Sequence, residues 1–231
     1  MGRVLLNIDA GESSEEPEEL WALADVLNVA CGGHAGDERS MSAIAAFCKH
    51  HAARHAGPAL GAHPSYPDRT SFGRASIAME LGALEDAVAD QCDALESIAR
   101  AAGVALRFAK LHGALYHDAC ARPEIARACL DGVIASLGWE VSVIGPDTGA
   151  LADVARELGL RYLREGFADR AARPDGSLVP RSEPDALIAD PTRAASRALE
   201  LARKVDTICV HGDTPGAIAI ARAVREALRG V

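Results

Sequence analysis

The chain has 231 residues and a mass of 24.1 kDa, and 49% of it is hydrophobic against 25% charged, enough to bury one substantial core. That composition excludes a disordered chain, a collagen-like repeat and a disulfide-stapled miniprotein. Its 24 basic residues stand against 33 acidic ones, for a formal charge of -9, and aromatics make up only 4%, which argues against nucleic acid or an anionic membrane as the main partner.

Short apolar runs alternate with longer amphipathic stretches. The first run, residues 4–8, reads as a buried strand and leads through Asn7-Ile8-Asp9-Ala10-Gly11 to Glu12. The Glu-rich stretch 15–19 reads as the solvated first turn of a helix. A second run, 26–30, leads into Cys31-Gly32-Gly33-His34-Ala35-Gly36-Asp37. On the helix that follows, His50, His51 and His55 read as a solvated C-terminal end. The third run, 59–62, leads into His63-Pro64-Ser65 and a loop through Asp68, Arg69, Phe72, Gly73 and Arg74. Residues 79–102 carry Leu81, Leu84, Val88, Cys92, Leu95 and Ile98 at helical spacing.

The fourth run, 105–111, continues into His112-Gly113 and carries Lys110 near its end. A fifth, 141–144, is followed by Asp147 as a helix cap and Gly159 as the stop. The sixth, 161–166, contains Glu165, and the seventh, 207–211, ends in His211-Gly212-Asp213. Asp190-Pro191 and Thr214-Pro215 each set a capping residue before a proline at the first helical position.

Seven strands, each followed by a helix, predict a single α/β domain over residues 1–231, and the length favours a barrel over a doubly wound sheet. Almost every strand then ends in a reactive group, so one end of the barrel collects acids, imidazoles and a lysine. Phe108 and Ala109 suggest apolar surroundings for Lys110, whose roles would be oxyanion donor, lowered-pKa amine or salt bridge across the mouth. Lys110 and His63 would project from strand ends, so replacing either is expected to impair turnover and leave folding intact. No phosphate-binding glycine loop and no nucleophilic serine elbow occurs. The six cysteines form no C-x-x-C pair, the N-terminus does not read as a signal peptide, and no apolar run reaches ~18 residues. These features predict a cytoplasmic protein with free thiols.

The blocks Leu6-Asn7-Ile8-Asp9-Ala10-Gly11-Glu12, Asn28 to Asp37 and Gly61-Ala62-His63-Pro64-Ser65-Tyr66-Pro67-Asp68 resemble those of the LamB/YcsF family. So do Lys110-Leu111-His112-Gly113-Ala114-Leu115-Tyr116, Phe167-Ala168-Asp169-Arg170, Leu178-Val179-Pro180-Arg181-Ser182 and Cys209-Val210-His211-Gly212-Asp213. The likeness runs in order over nearly the whole chain. The chain departs from the family pattern at Leu5, Gly33, Leu111 and His117, where the pattern has Asp, Phe, Pro and Asn, and its segment 190–207 is shorter.

The resemblance implies a seven-stranded (β/α) barrel like that of sugar deacetylases and some glycoside hydrolases. It also implies the A-type component of a 5-oxoprolinase, which opens 5-oxo-L-proline to L-glutamate with ATP, and with Mg as its counterion, beside two partner subunits of B and C type. On that chemistry Asp9 and His63 would activate water, with His34 nearby, while Lys110 and His112 polarise the carbonyl. Arg69, Arg74, Arg170 and Arg181 would clamp carboxylate or phosphate, and Glu12, His211 and Asp213 would bind substrate. Two other readings stand beside this one: a metal-dependent deacetylase or amidohydrolase with Asp9, His34 and His63 around one divalent ion, and a non-catalytic protein that binds substrate for a partner.

Overall fold

The seven predicted runs form seven parallel strands: β1 (Leu5–Ala10), β2 (Val26–Ala30), β3 (Ala59–His63), β4 (Leu106–Lys110), β5 (Ser142–Gly145), β6 (Arg161–Phe167) and β7 (Thr207–His211). They pair in sequence order, and β1 also pairs with β7, Leu5 opposite Thr207 and Asp9 opposite His211, which closes the barrel. In this computed structural model, residues 3–13, 16–52, 57–173, 178–181 and 183–230 are described. The intervening helices are α1 (Glu18–Trp21), α2 (Glu38–Ala52), α3 (Leu81–Ala102), α4 (Gly113–Ala121), α5 (Pro123–Leu137), α6 (Ala150–Glu157), α7 (Pro191–Leu201) and α8 (Ala217–Leu228).

The period of two along each strand divides the core. Leu6, Ile8, Leu27, Val29, Leu60, Ala62, Ile208 and Val210 are buried in the large layer shared with the helices. The alternate positions face the barrel interior. There Val26, Ile144 and Leu163 pack with Leu5 and Phe108 as a small apolar plug at the N-terminal end. One pleat higher the interior turns polar: Asn7 donates to Thr207 Oγ1 at 2.9 Å, and Asn28 donates to Asn7 and Asp9 at 2.8 and 2.9 Å. The plug supports this ladder, and the ladder fixes Asp9 at the centre of the mouth.

The α3 stripe is as predicted, with Leu84, Val88, Cys92 and Leu95 buried and Gly103 ending the helix in the left-handed region at φ 70°. Asp190 caps α7 through the Arg193 N–H at 2.7 Å. Three local expectations are corrected. Asp147 does not cap α6, which starts after Gly149 at φ 108°, a conformation closed to an L side chain. Thr214 does not cap α8 either, because its hydroxyl donates to Asp169 at 2.6 Å and the helix starts after Gly216. The acidic stretch is not wholly solvated: Glu16 turns inward to accept the Gly11 N–H and the Trp21 indole N–H, at 2.8 and 2.7 Å. Glu15 and His55 lie outside the described residues; His50 is exposed and His51 bonds the Phe47 carbonyl at 2.9 Å.

All six cysteines are free, five of them buried, and burial pushes the Cys31, Cys48 and Cys120 thiols up to about 12. Thiol titration of the denatured, non-reduced chain should therefore count six, and a stable disulfide would contradict this arrangement. Among the described residues no helix is long and apolar enough to cross a membrane.

Candidate active site

The barrel mouth is organised around a buried ammonium. Lys110 Nζ, from the end of β4, reaches both Asp9 carboxylate oxygens at 2.9 and 3.1 Å and Glu165 of β6 at 2.9 Å. It also lies 3.1 Å from Cys209 Sγ of β7 and 3.3 Å from Asn7 Oδ1. Burial favours the neutral amine, but Asp9, Cys209 and Glu165 outweigh it and hold the Lys110 pKa well above its ordinary value. This corrects the apolar setting read from Phe108 and Ala109, and it makes Lys110 part of the barrel's structure as well as its site. Burial would likewise raise the Asp9 carboxyl, yet His63 and Lys110 keep it well below the usual carboxylate range.

Beside this centre, three imidazoles surround Glu12. His34 Nε2 and His112 Nδ1 lie 3.0 and 3.1 Å from Glu12 Oε1, and His63 Nε2 lies 3.7 Å away. His34 and His112 stack with ring centroids 3.6 Å apart. The loop after β3 builds part of this cluster. Phe72 adopts a left-handed φ of 58°, rare for an aromatic residue, and its carbonyl accepts from His112 Nε2 at 3.0 Å. The residue pair that anchors this loop to α4 is Gly73 and Gly113: a Cβ on Gly113 would meet the Gly73 carbonyl oxygen at 2.4 Å. Burial lowers the pKa of His34 to about 4 and also lowers that of His112.

On the opposite side, Asp169 is fully buried and accepts the His211 backbone N–H at 2.9 Å, the Thr214 hydroxyl, and His211 Nδ1 at 3.0 Å. Burial would lower His211, but Asp169 and Asp9 outweigh it and raise its pKa above the ordinary imidazole value. The ring stacks on Phe167, and its Nε2 lies 3.9 Å from Asp9 Oδ2.

These groups open into one cavity of about 600 Å³. Asp9, His63, Lys110, His112 and His211 line its floor; Arg74, Arg170 and Arg181 line its wall. Asp213 does not reach the cavity: it pairs with Arg74 at 2.6 Å and Arg181 at 2.8 Å and so sets their positions. Arg170 donates to the Val179 carbonyl at 2.7 Å, while its buried Nε has no partner among the described residues.

Four predicted residues therefore sit elsewhere than expected. Arg69 is committed to the Gly32 and Gly36 carbonyls at 3.0 Å each, tying down the loop after β2 instead of facing the cavity. Glu12 and His34 pack behind the floor, and Asp213 stands behind the arginines. Asp9, His34 and His63 do not form one ligand set, because Asp9 is engaged by Lys110 whereas Glu12 and His112 join the two histidines. Asp169, Tyr116 and the Asn7–Asn28 ladder belong to the site without being predicted for it, whereas Glu165, read from the sequence as the reactive group of the sixth strand but given no role, joins it through Lys110. For Glu165 and Asp169 a signal existed, since both are acids at the C-terminal end of β6. Gly33 is a tight position, where a Cβ would meet Gln91 Oε1 and Ser65 Oγ, and Gln91 bonds both the N–H and the carbonyl of Ser65. Ser182 lies outside the described residues, as do residues 174–177.

A profile of the LamB/YcsF family matches residues 4–231. The chain belongs to the LamB/YcsF family. Among its relatives, the A-type component of the 5-oxoprolinase of Chloroflexus aggregans is 43% identical, over 96% of this chain and 94% of its own length. That of Pyrococcus horikoshii is 36% identical, over 98% of this chain and 94% of its own. The crystal structure of the lactam utilization protein from Thermus thermophilus superposes with a TM-score of 0.87 at 35% identity, covering 99% of this chain and 97% of the other. Within this LamB/YcsF chain, the matched barrel is the scaffold that brings β1, β3, β4, β6 and β7 to the common cavity.

Proposed function

We propose that this chain is the A-type component of an ATP-dependent 5-oxoprolinase, which opens 5-oxo-L-proline to L-glutamate beside two partner subunits of B and C type, with ATP as co-substrate and Mg as its counterion. The names of its relatives support the substrate. The observation that carries the chemistry is the unequal make-up of the cavity, rich in fixed charge and acid and poor in base.

A planar, unstrained lactam resists water, so either the nucleophile or the carbonyl must be activated. Asp9, held well below the usual carboxylate range, is a weak base that orients water better than it deprotonates it. The carbonyl is then the partner that needs activation, and transfer of a phosphoryl group from ATP to its oxygen supplies this. The Arg74, Arg170 and Arg181 wall suits the anions involved, the substrate carboxylate and the phosphoryl oxygens, and a cavity of about 600 Å³ has room for both. Water adds to the O-phosphorylated carbon and the ring C–N bond breaks; the nitrogen must gain a proton, and His211 Nε2, backed by Asp169, is the acid on the cavity floor. A second water then cleaves the resulting acyl phosphate, giving glutamate and inorganic phosphate beside the ADP of the first transfer. Lys110 helps to keep the Asp9 carboxyl low and holds both Asp9 and Glu165 in place, while His63 and His112 complete the floor.

The chain holds no recognised nucleotide loop. Alone it should therefore form neither glutamate nor ADP at a useful rate, and addition of the two partner subunits should switch on coupled formation of both. Brisk ATP-dependent glutamate formation by the single chain would overturn the division of labour. Absence of glutamate from the reconstituted complex would overturn the substrate.

A further inference from the structure

The Glu12 cluster gathers three imidazole nitrogens and one carboxylate oxygen, all within 4.8 Å of one another. His63 Nδ1 lies 2.7 Å from the Lys110 carbonyl, and a carbonyl only accepts, so Nδ1 carries a proton and Nε2 is the nitrogen turned to the cluster. His112 is oriented in the same way by the Phe72 carbonyl at its Nε2, which turns Nδ1 to the cluster. Those two nitrogens are 3.1 Å apart. The second also lies 3.1 Å from the Glu12 carboxylate oxygen, against which His34 Nε2 packs at 3.0 Å. Buried donor atoms this close need a cation among them, either a shared proton or a metal ion. Imidazoles whose far nitrogens donate to backbone carbonyls are also the usual supporting arrangement of metal-bound histidines.

Size and chemistry agree. Four ligands around a tetrahedral ion with bonds of about 2.0–2.1 Å stand about 3.3 Å from one another. Four of the six separations run from 3.0 Å (His34–Glu12) to 3.7 Å (His63–Glu12); the His34 ring, stacked parallel on His112 at 3.6 Å, must turn for its lone pair to meet the same ion. Three imidazole nitrogens and one carboxylate oxygen suit zinc, whereas magnesium takes oxygen ligands and keeps its water. We propose that Glu12 Oε1, His34 Nε2, His63 Nε2 and His112 Nδ1 bind one zinc-type divalent cation at the cavity floor. The neighbouring Asp9, Cys209 and His211 cluster is no second site, because the Lys110 ammonium already lies against Asp9 and Cys209. The site stands independently of the reaction assigned above. When bound, the ion supplies a fixed positive charge and ties together the segments after β1, β2 and β4 and the end of β3.

The test uses the full chain, stripped with a chelator and titrated with Zn²⁺, Co²⁺ or Mg²⁺. Elemental analysis should find about one Zn²⁺ per chain, and Zn²⁺ should raise the melting temperature while equal Mg²⁺ does not. Co²⁺ should give the visible bands of a four-coordinate nitrogen–oxygen site, a readout that needs no variant to fold. Glu12→Gln and His112→Gln should each weaken Zn²⁺ binding by at least ~10-fold, whereas His51→Gln on the α2 surface should bind as the parent does. A chain that neither retains nor responds to Zn²⁺ overturns the proposal, and so does Zn²⁺ binding undiminished in both ligand variants.

Discussion

Lys110→Met should reduce turnover by at least ~100-fold, the scale of removing a positioned charged group from an active site, and should also destabilise the barrel. The ammonium is buried and compensates two buried carboxylates, Asp9 and Glu165. Breaking a buried pair by deleting one partner typically costs ~3–5 kcal/mol, because the remaining charge stays desolvated. For a chain of this size that is a fall in melting temperature of roughly 10 °C. Adding Glu165→Gln to Lys110→Met should return part of the stability, since one uncompensated charge is gone, and none of the turnover. Calorimetry on the single and double variants checks both statements. A Lys110→Met protein that melts like the parent would show that the charge cluster does not hold the barrel centre, and would restore the expectation that strand-end replacements spare the fold.

Asp169→Asn should lower kcat/KM by ~100-fold or more and move its alkaline limb to lower pH. Asp169 is the largest of the influences that raise His211, so without it burial prevails and the imidazole loses its proton earlier. The stability linkage has a definite sign on each side. His211, raised above its ordinary 6.5, contributes fully below that value, and the contribution is lost as pH rises through its folded pKa. Asp169, which burial would raise but His211 and Thr214 bring below its ordinary 3.8, contributes above that value and loses its part as pH falls through its folded pKa. Both contributions are therefore complete between the ordinary values of 3.8 and 6.5, and the His211 part declines as pH rises further. A profile of kcat/KM against pH decides the catalytic assignment: reduced activity with an unmoved alkaline limb would make Asp169 a scaffold residue only.

The strands were legible because a parallel strand buried on both faces must be a short aliphatic run, and β2 and β7 match their predicted limits while the others differ by one or two residues. Helix starts were less legible. Asp147 and Thr214 have the right chemistry for caps, but a distant acid claimed the Thr214 hydroxyl and glycines with positive φ set the actual boundaries. The site divides in the same way. Which residues stand at strand ends follows from the sequence; which of them meet depends on the interior of a closed barrel. Phe108 and Lys110 point inward together, one pleat apart, so the neighbours of Lys110 come from β1, β6 and β7 and not from its own strand. Arg69 could not be told from Arg74 by type or loop, and only the fold shows that two backbone carbonyls occupy its guanidinium.

Closure of the barrel between β1 and β7 joins residues about two hundred positions apart, Asn7 with Thr207 by side chain and Leu5 with Thr207 by register. The two strands that meet last along the chain also carry Asp9 and His211, the pair that faces the floor from either side. Assembly of the candidate site is therefore the same event as completion of the tertiary structure, with all the slowness that distant contacts impose on a folding chain. An intermediate that lacks the seam has half a floor, so a chain whose barrel is not closed does not present the candidate site.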